Sequence, residues 1–318
     1  MGGNTMFRFA ILALFLASSA NAQERITITH PSPESSHFGA AAKAFEAFVE
    51  AETGGRYDVV LQRLDNEREA LETVQLGAQE FGITTTGPAG NFVPEVRVFD
   101  IPFLFRDRAH AHAVLDGQVG QDVLAHFSKA GLIGLAWGEN GFRHLTTGAA
   151  AVSSPADLEG LKIRTMENPL HIAAWRSVGV LPTPISFSEL PTALQQGTVD
   201  GQENPIPVIL SNNFDQLQGN LYLTGHVYSP AIVTGFPGFL EGLSDEDRAI
   251  FEEAARVAAA ANRERVTADE AAGIDELVGR GMNVVQVNSA DYQAAMASAM
   301  AEFETQFGAE TLATIAAQ

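Results

Sequence analysis

The chain has 318 residues, with 39 acidic against 19 basic side chains, no cysteine and a net charge of −20. An acidic field of that size repels nucleic acid and anionic membrane surfaces, so an anionic ligand would need a local cationic pocket. Lack of cysteine excludes disulfides, thiolate metal sites, cysteine nucleophiles and the acylated cysteine of a lipoprotein, and leaves stability to the core.

Met1 to Ala22 carry one basic residue, Arg8, then the apolar run Phe9 to Ala17 and the small residues Ala20-Asn21-Ala22. That is the layout of a cleaved secretory signal peptide, too short to span a bilayer, with Met6 as good a start as Met1. The 296 residues that follow hold 18 basic against 39 acidic side chains, a net −21, and are long enough for a core divided over two domains. Only Lys43, Lys129 and Lys162 are lysines, so cationic chemistry rests on arginine.

Arg25 to Thr29 alternates as a strand, and a helix is predicted from Phe38 to Val49 with Phe38, Ala41, Ala42, Phe45 and Val49 on one face. A strand at Tyr57–Leu61, a helix at Glu67–Leu76 and a strand at Phe81–Thr85 continue the alternation, which argues for parallel α/β layers. Thr84, Thr85 and Thr86 bring hydroxyls to the end of that strand. Asp100 to Phe105 reads as core packing. His110 and His112, two apart in a helical region, do not share a face and read as solvated rather than as a metal site. Leu132–Trp137 and Phe142–Thr146 read as two strands joined by a crossover at Gly138–Gly141, with Arg143 near the start of the second.

From Gly160 to Pro205 the residues form a β-α-β-α unit. Leu161 and Ile163 alternate with Lys162 and Arg164, a half-buried strand carrying its cations outward. Asn168-Pro169 stops that strand and opens a helix through Val178. Arg164 is left near the carboxyl end of a strand, where open α/β sheets bind ligands. A short strand behind two prolines follows, then a helix from Ser188 to Gln196 and a polar turn, Asp200 to Pro205. Beyond it lie a short helix at Ile206–Leu210, strands at Tyr222–Thr224 and Ala231–Val233, a helix from Ser244 to Val278, a last strand at Met282–Val287 and a helix at Asp291–Phe307. About 35 helical residues rise roughly 50 Å, longer than one small domain is wide.

The blocks GLKIR, PTPISFSELPTALQQG and VDGQENP, in this order and spacing, resemble the signature region of the solute-binding subunits of tripartite ATP-independent periplasmic (TRAP) transporters, the DctP-like family. SSHFGAAAKAFEAFVE, LETVQLGAQEFGI, FDIPFLFRD and GENGFRHLTT sit where such proteins carry similar segments, and the likeness loosens after Gly235. The resemblance implies a type II-like periplasmic binding protein: two α/β lobes with a ligand cleft between them and a long hinge-spanning helix. Lobe I is then expected at 23–140 with about 230–262, and lobe II at 141–229 with about 263–318. It further implies a monomer in the periplasm that captures a small organic anion and delivers it to membrane subunits driven by an ion gradient.

The resemblance assigns Arg164 as the clamp on the ligand carboxylate, Arg143 and Asn204 as supporting contacts and Phe187 as the aromatic against the ligand. A guanidinium suits that role because its planar fork matches a carboxylate with two parallel hydrogen bonds. Glu67 and Thr86 are weaker candidates for ligand hydroxyls, and an acidic Glu67 beside an anion favours a sugar acid such as a hexuronate over a C4-dicarboxylate or keto acid. No G-x-x-x-x-G-K-[ST], G-x-S-x-G or H-E-x-x-H occurs. Neither a cofactor nor a metal is therefore expected. A secreted hydrolase and the binding subunit of an ATP-driven importer are the alternative classes; product formation would mark the first, a neighbouring ATPase gene the second.

Overall fold

The computed structural model describes residues 23–318, so the predicted signal peptide lies outside the described residues. The chain opens with β1 (Glu24–His30), α1 (His37–Glu52), β2 (Tyr57–Arg63), α2 (Glu67–Gln75) and β3 (Phe81–Thr85). There follow α3 (Thr86–Ala89), α4 (Arg108–Asp116), α5 (Gln118–Ala125), β4 (Ile133–Thr147), β5 (Lys162–Thr165), α6 (Pro169–Ser177), β6 (Leu181–Pro184), α7 (Leu190–Gln195) and β7 (Gly201–Pro205). The remainder is α8 (Ile206–Ser211), β8 (Asn220–Gly235), α9 (Pro237–Gly242), α10 (Asp245–Gly279), β9 (Asn283–Val285), α11 (Ser289–Ala295), α12 (Ala297–Phe307) and α13 (Ala309–Ala316).

The strands run in the order β2-β1-β3-β8-β4-β7-β5-β6, with β9 beside β8. Within each lobe the strands are parallel, β1 with β2 and β3 in the first, β5 with β6 and β7 in the second. Two long antiparallel strands join the lobes. The start of β4 pairs with the end of β8, next to β3, and the end of β4 pairs with β7.

Several local expectations change here. The two strands read around Gly138–Gly141 are one, because register shifts at Gly134/Ala136, Glu139/Gly141 and Arg143/Leu145 let the strand bend without ending. Gly141 sits at φ +115°, which a side chain would strain. Tyr222–Thr224 and Ala231–Val233 likewise belong to one strand, β8. The polar turn at Asp200–Pro205 is mostly β7, fully buried, with Asn204 bonded to Gln202 and Gln202 to Thr146 of β4. The last helix breaks at Met296, resumes as α12, breaks again at Gly308 and continues as α13.

The first-lobe core gathers Ile26, Ile28, Phe38, Phe45, Phe81 and Phe251, with Phe81 stacked on Phe251 at 5.3 Å between ring centroids. Ser36 opens α1 by accepting from the Gly39 amide. The second-lobe core holds Leu190, Leu194, Ile206, Ile209, Phe214 and Leu277. Helix α10 has 35 residues and serves both lobes. Its first half buries Ala254, Ala255 and Ala258 in the first-lobe core, and its second half lays Gly273 against Ile206 and Leu210 of α8.

Candidate functional site

A small cavity of about 20 Å³ lies between the lobes. Pro31, Ser32, Phe38, Glu67 and Thr85 line it from one side; Arg143, Arg164, Met166, Phe187, Asn204 and Val208 line it from the other. Asn140 lies where β4 passes between the lobes, its amide oxygen 3.0 Å from His37 Nε2.

The strand alternation at β5 holds for exposed Lys162 and buried Ile163, yet Arg164 is not outward: it is 2% exposed because its face of the sheet looks into the cleft. Its Nε donates to the Ile185 carbonyl at 2.8 Å, and its buried Nη1 has no protein partner. Burial, reinforced by the neighbouring Arg143 charge, pulls its pKa down to about 10, against the opposing pull of Glu203, Glu67 and Glu167. It therefore stays charged at neutral pH.

Arg143, on β4, is also buried and leaves Nη1 without a protein partner. Its other nitrogens are committed: Nε donates to Glu203 Oε2 at 2.5 Å, and Nη2 to Glu203 Oε1 at 2.8 Å and to Asn204 Oδ1 at 3.1 Å. Burial alone would raise the Glu203 pKa; the Arg143 charge and the hydrogen bonds from His226 and Arg143 outweigh it and hold the carboxyl well below its usual range. A carboxylate only accepts, so His226 Nε2, 3.1 Å from Glu203 Oε2, carries the proton. Its Nδ1 then accepts from the Thr224 hydroxyl at 2.7 Å. Sequence reasoning does not single out Glu203, His226 or Thr224. The block VDGQENP contains Glu203, but β4–β7 pairing is what brings it to Arg143.

Of the other predicted residues, Asn204 lines the cavity with its amide nitrogen donating to Gln202 Oε1 at 2.5 Å. Phe187 lines it from the turn just before α7 and packs edge-on against Phe214 at 5.9 Å. Glu67, the first residue of α2, lines it while accepting from the Thr85 amide at 2.6 Å and hydroxyl at 3.1 Å. Burial raises the Glu67 pKa, against those Thr85 bonds and the Arg164 and Arg143 charges. Thr86 does not line the cavity: it begins α3 and donates to Asp100 Oδ1 at 2.5 Å, while the preceding Thr85 takes the cavity wall. Met166 is also missed by sequence reasoning, because the residues after Arg164 read only as a strand end.

Two further readings are corrected. His110 is buried, not solvated, with Nε2 2.8 Å from the Ile315 carbonyl, and His112 Nε2 lies 3.0 Å from Glu139 Oε2. The amphipathic pattern of α4 could not show that α13 would cover His110. Asp100, read as core packing, is a buried polar junction: its Oδ2 accepts from Asn168 Nδ2 at 2.7 Å. Among the described residues no group of three or more His, Asp or Glu is arranged to hold a metal ion, and no helix is long and apolar enough to cross a membrane.

Comparison with known proteins gives the geometry a context. Residues 28–309 match the family bacterial extracellular solute-binding protein, family 7. A solute-binding protein of Verminephrobacter eiseniae is 49% identical over 302 residues, covering 94% of this chain and 90% of its own. The 2,3-diketo-L-gulonate-binding periplasmic protein of Escherichia coli is 37% identical, covering 86% and 84%. Among solved structures, a TRAP periplasmic solute-binding protein from Polaromonas sp. JS666 bound to D-erythronate is 50% identical with a TM-score of 0.90, covering 93% of this chain and 99% of its own. One from Bordetella bronchispeptica, with density interpreted as pantoate, is 47% identical with a TM-score of 0.90, covering 92% and 99%.

Proposed function

The chain belongs to bacterial extracellular solute-binding protein family 7, the solute-binding proteins of TRAP transporters, and from that premise we propose that its ligand is a short hydroxylated carboxylate, a sugar acid of about four carbons. The observation that carries this reading is the pair of buried, unpartnered Nη1 groups on Arg143 and Arg164 at one small cavity. Two buried guanidinium donors without acceptors are costly, and a carboxylate satisfies both. Hydroxylation follows from the Glu67 side: an acid-lined wall favours hydroxyl donors over a second carboxylate. Relatives bound to D-erythronate and to a ligand interpreted as pantoate favour a four-carbon chain over a hexuronate.

The protein works by capture, closure and delivery in the periplasm. The carboxylate engages Arg164 and Arg143, the lobes 23–140 with 230–262 and 141–229 with 263–318 turn about the crossings of β4, β8 and α10, and water leaves the cleft. A drier cleft strengthens the ion pairs. The closed monomer passes its ligand, chemically unchanged, to the membrane subunits.

The test is a thermal-shift screen of residues 23–318 against D-erythronate, pantoate, D-gluconate, D-glucuronate, succinate and pyruvate, with recovery of the ligand afterwards. A ligand that binds only the folded chain raises the melting temperature by mass action. The largest shift is expected for a four-carbon hydroxy acid recovered intact. A larger shift with succinate would overturn the hydroxyl argument, and conversion of the acid would overturn the binding role.

A further inference from the structure

A second small chamber, of about 30 Å³, adjoins the arginine-lined cavity and shares four wall residues with it: Glu67, Arg164, Met166 and Phe187. Its other walls include Asn66, Arg68 and Ser186, polar groups suited to a hydroxylated chain. Met166 reaches across from the end of β5 to the first lobe. Its Sδ lies 3.9 Å from the Thr85 hydroxyl, and a Cβ placed on Gly87 would meet its Sδ and Cε at 2.6 Å.

The residues after it hold this bridge in place. The Glu167 carbonyl accepts from Asn91 Nδ2 at 3.2 Å, and Asn168 donates to Asp100 at 2.7 Å, so both neighbours are tied to the first lobe. The thioether itself donates no hydrogen bond and fills space with an apolar, adaptable chain. It therefore offers only a weak acceptor to a ligand hydroxyl that would pass between the chambers.

We propose that Met166 sets the length of acid this protein accepts, by closing the arginine-lined cavity against the outer polar chamber. The inference rests on the carboxylate reading above. With Met166 in place, the chain of a four-carbon acid ends at the thioether; with it shortened, the chambers join and a six-carbon acid extends toward Asn66 and Ser186.

The experiment is isothermal titration of residues 23–318 with D-erythronate and D-gluconate, in the wild type, Met166→Ala and Met166→Leu, with folding checked by circular dichroism. The wild type is expected to prefer erythronate by about tenfold or more. Met166→Ala is expected to shrink that preference by about tenfold, mainly by tightening gluconate, and Met166→Leu to keep it. Met166→Val, shorter and still apolar, gives the same readout should the alanine variant fail to fold. A wild type that binds both acids equally, or a folded short-chain variant whose preference is unchanged, overturns the role of Met166 alone. A wild type that binds no hydroxylated acid removes the carboxylate reading and this inference with it.

Discussion

Arg143 and Glu203 are diagonal neighbours on one face of the β4–β7 ladder, joined by two parallel hydrogen bonds of 2.5 and 2.8 Å, with side chains 1% and 0% exposed. The pairing leaves Nη1 of Arg143 free for a ligand while fixing the plane of its guanidinium. Removing one partner of a buried pair leaves the other charge uncompensated, so Glu203→Leu is expected to cost about 3–5 kcal/mol of stability. Glu203→Gln, which keeps one hydrogen bond, should cost less and still weaken acid binding. Urea unfolding and titration calorimetry on the same variants check both; an undiminished unfolding midpoint for Glu203→Leu would contradict the account.

Arg164→Ala is expected to lose on the order of 2–5 kcal/mol of ligand binding, because the carboxylate would be buried without its charged donor. Arg164→Lys should bind weakly too, since an ammonium cannot both replace the Nε bond to Ile185 and face the ligand with a planar fork. Calorimetry on folded variants decides it, and near-wild-type affinity in Arg164→Ala would take this residue out of the site.

Gly273 looks in sequence like a minor interruption of the long helix. A Cβ there would come within 2.3 Å of Ile206 Cγ2 and 2.8 Å of Leu210 Cδ1. Gly273→Val should therefore destabilise by about 1–3 kcal/mol through overpacking of α10 on α8. Gly279, whose Cβ would meet nothing within 4 Å, is the control: Gly279→Ala should leave the denaturation midpoint unchanged or slightly higher.

Acid should weaken the fold through its buried histidines. Burial lowers the pKa of His37, His144 and His171 to about 3 from 6.5. Below pH 6.5 the unfolded chain takes up protons that the folded chain refuses, so stability falls as pH drops, by up to about 1.4 kcal/mol per unit for each group. Asp100 opposes this: burial pushes its pKa up to about 7 from 3.8, so between those values the folded chain binds the extra proton and stability rises toward acid. Glu67 and Glu270, raised by burial, act with Asp100, while His30 and His226, lowered by burial, act with the three histidines, and the histidines together outweigh the carboxyls. Urea midpoints should fall from pH 6.5 to 4.5, and His171→Leu, which removes a ring with both nitrogens unpartnered, should flatten the slope.

Much of the architecture is legible because it depends on neighbours in the chain. The face of α1, the Pro169 start of α6 and the 35-residue run of α10 are local patterns, and each appears within a few residues of its predicted bounds. Breaks at glycine are less readable. Gly138 and Gly141 look like a loop, yet they lie inside β4 because pairing with Ala231 and Ser229 of β8 outweighs the weak strand preference of glycine. The polar run Asp200–Pro205 looks like a solvated turn because it is crowded with hydrogen-bonding side chains, and only the position of Gly201–Pro205 between β4 and β5 makes it a buried strand.

Periodicity, proline placement and charge act over a few residues or over the whole chain at once. They already specify an α/β chain with one strand-borne arginine at Arg164, a second at Arg143 and an acidic surface against which a buried cationic pocket stands out. Folding in three dimensions was needed to bring Glu203 to Arg143, to turn Thr85 rather than Thr86 toward the cavity, and to carry Met166 to Gly87 across the cleft. Each of these joins residues tens of positions or more apart in sequence or turns on which way one side chain faces, and such relationships are set by strand register and lobe packing rather than by local preference.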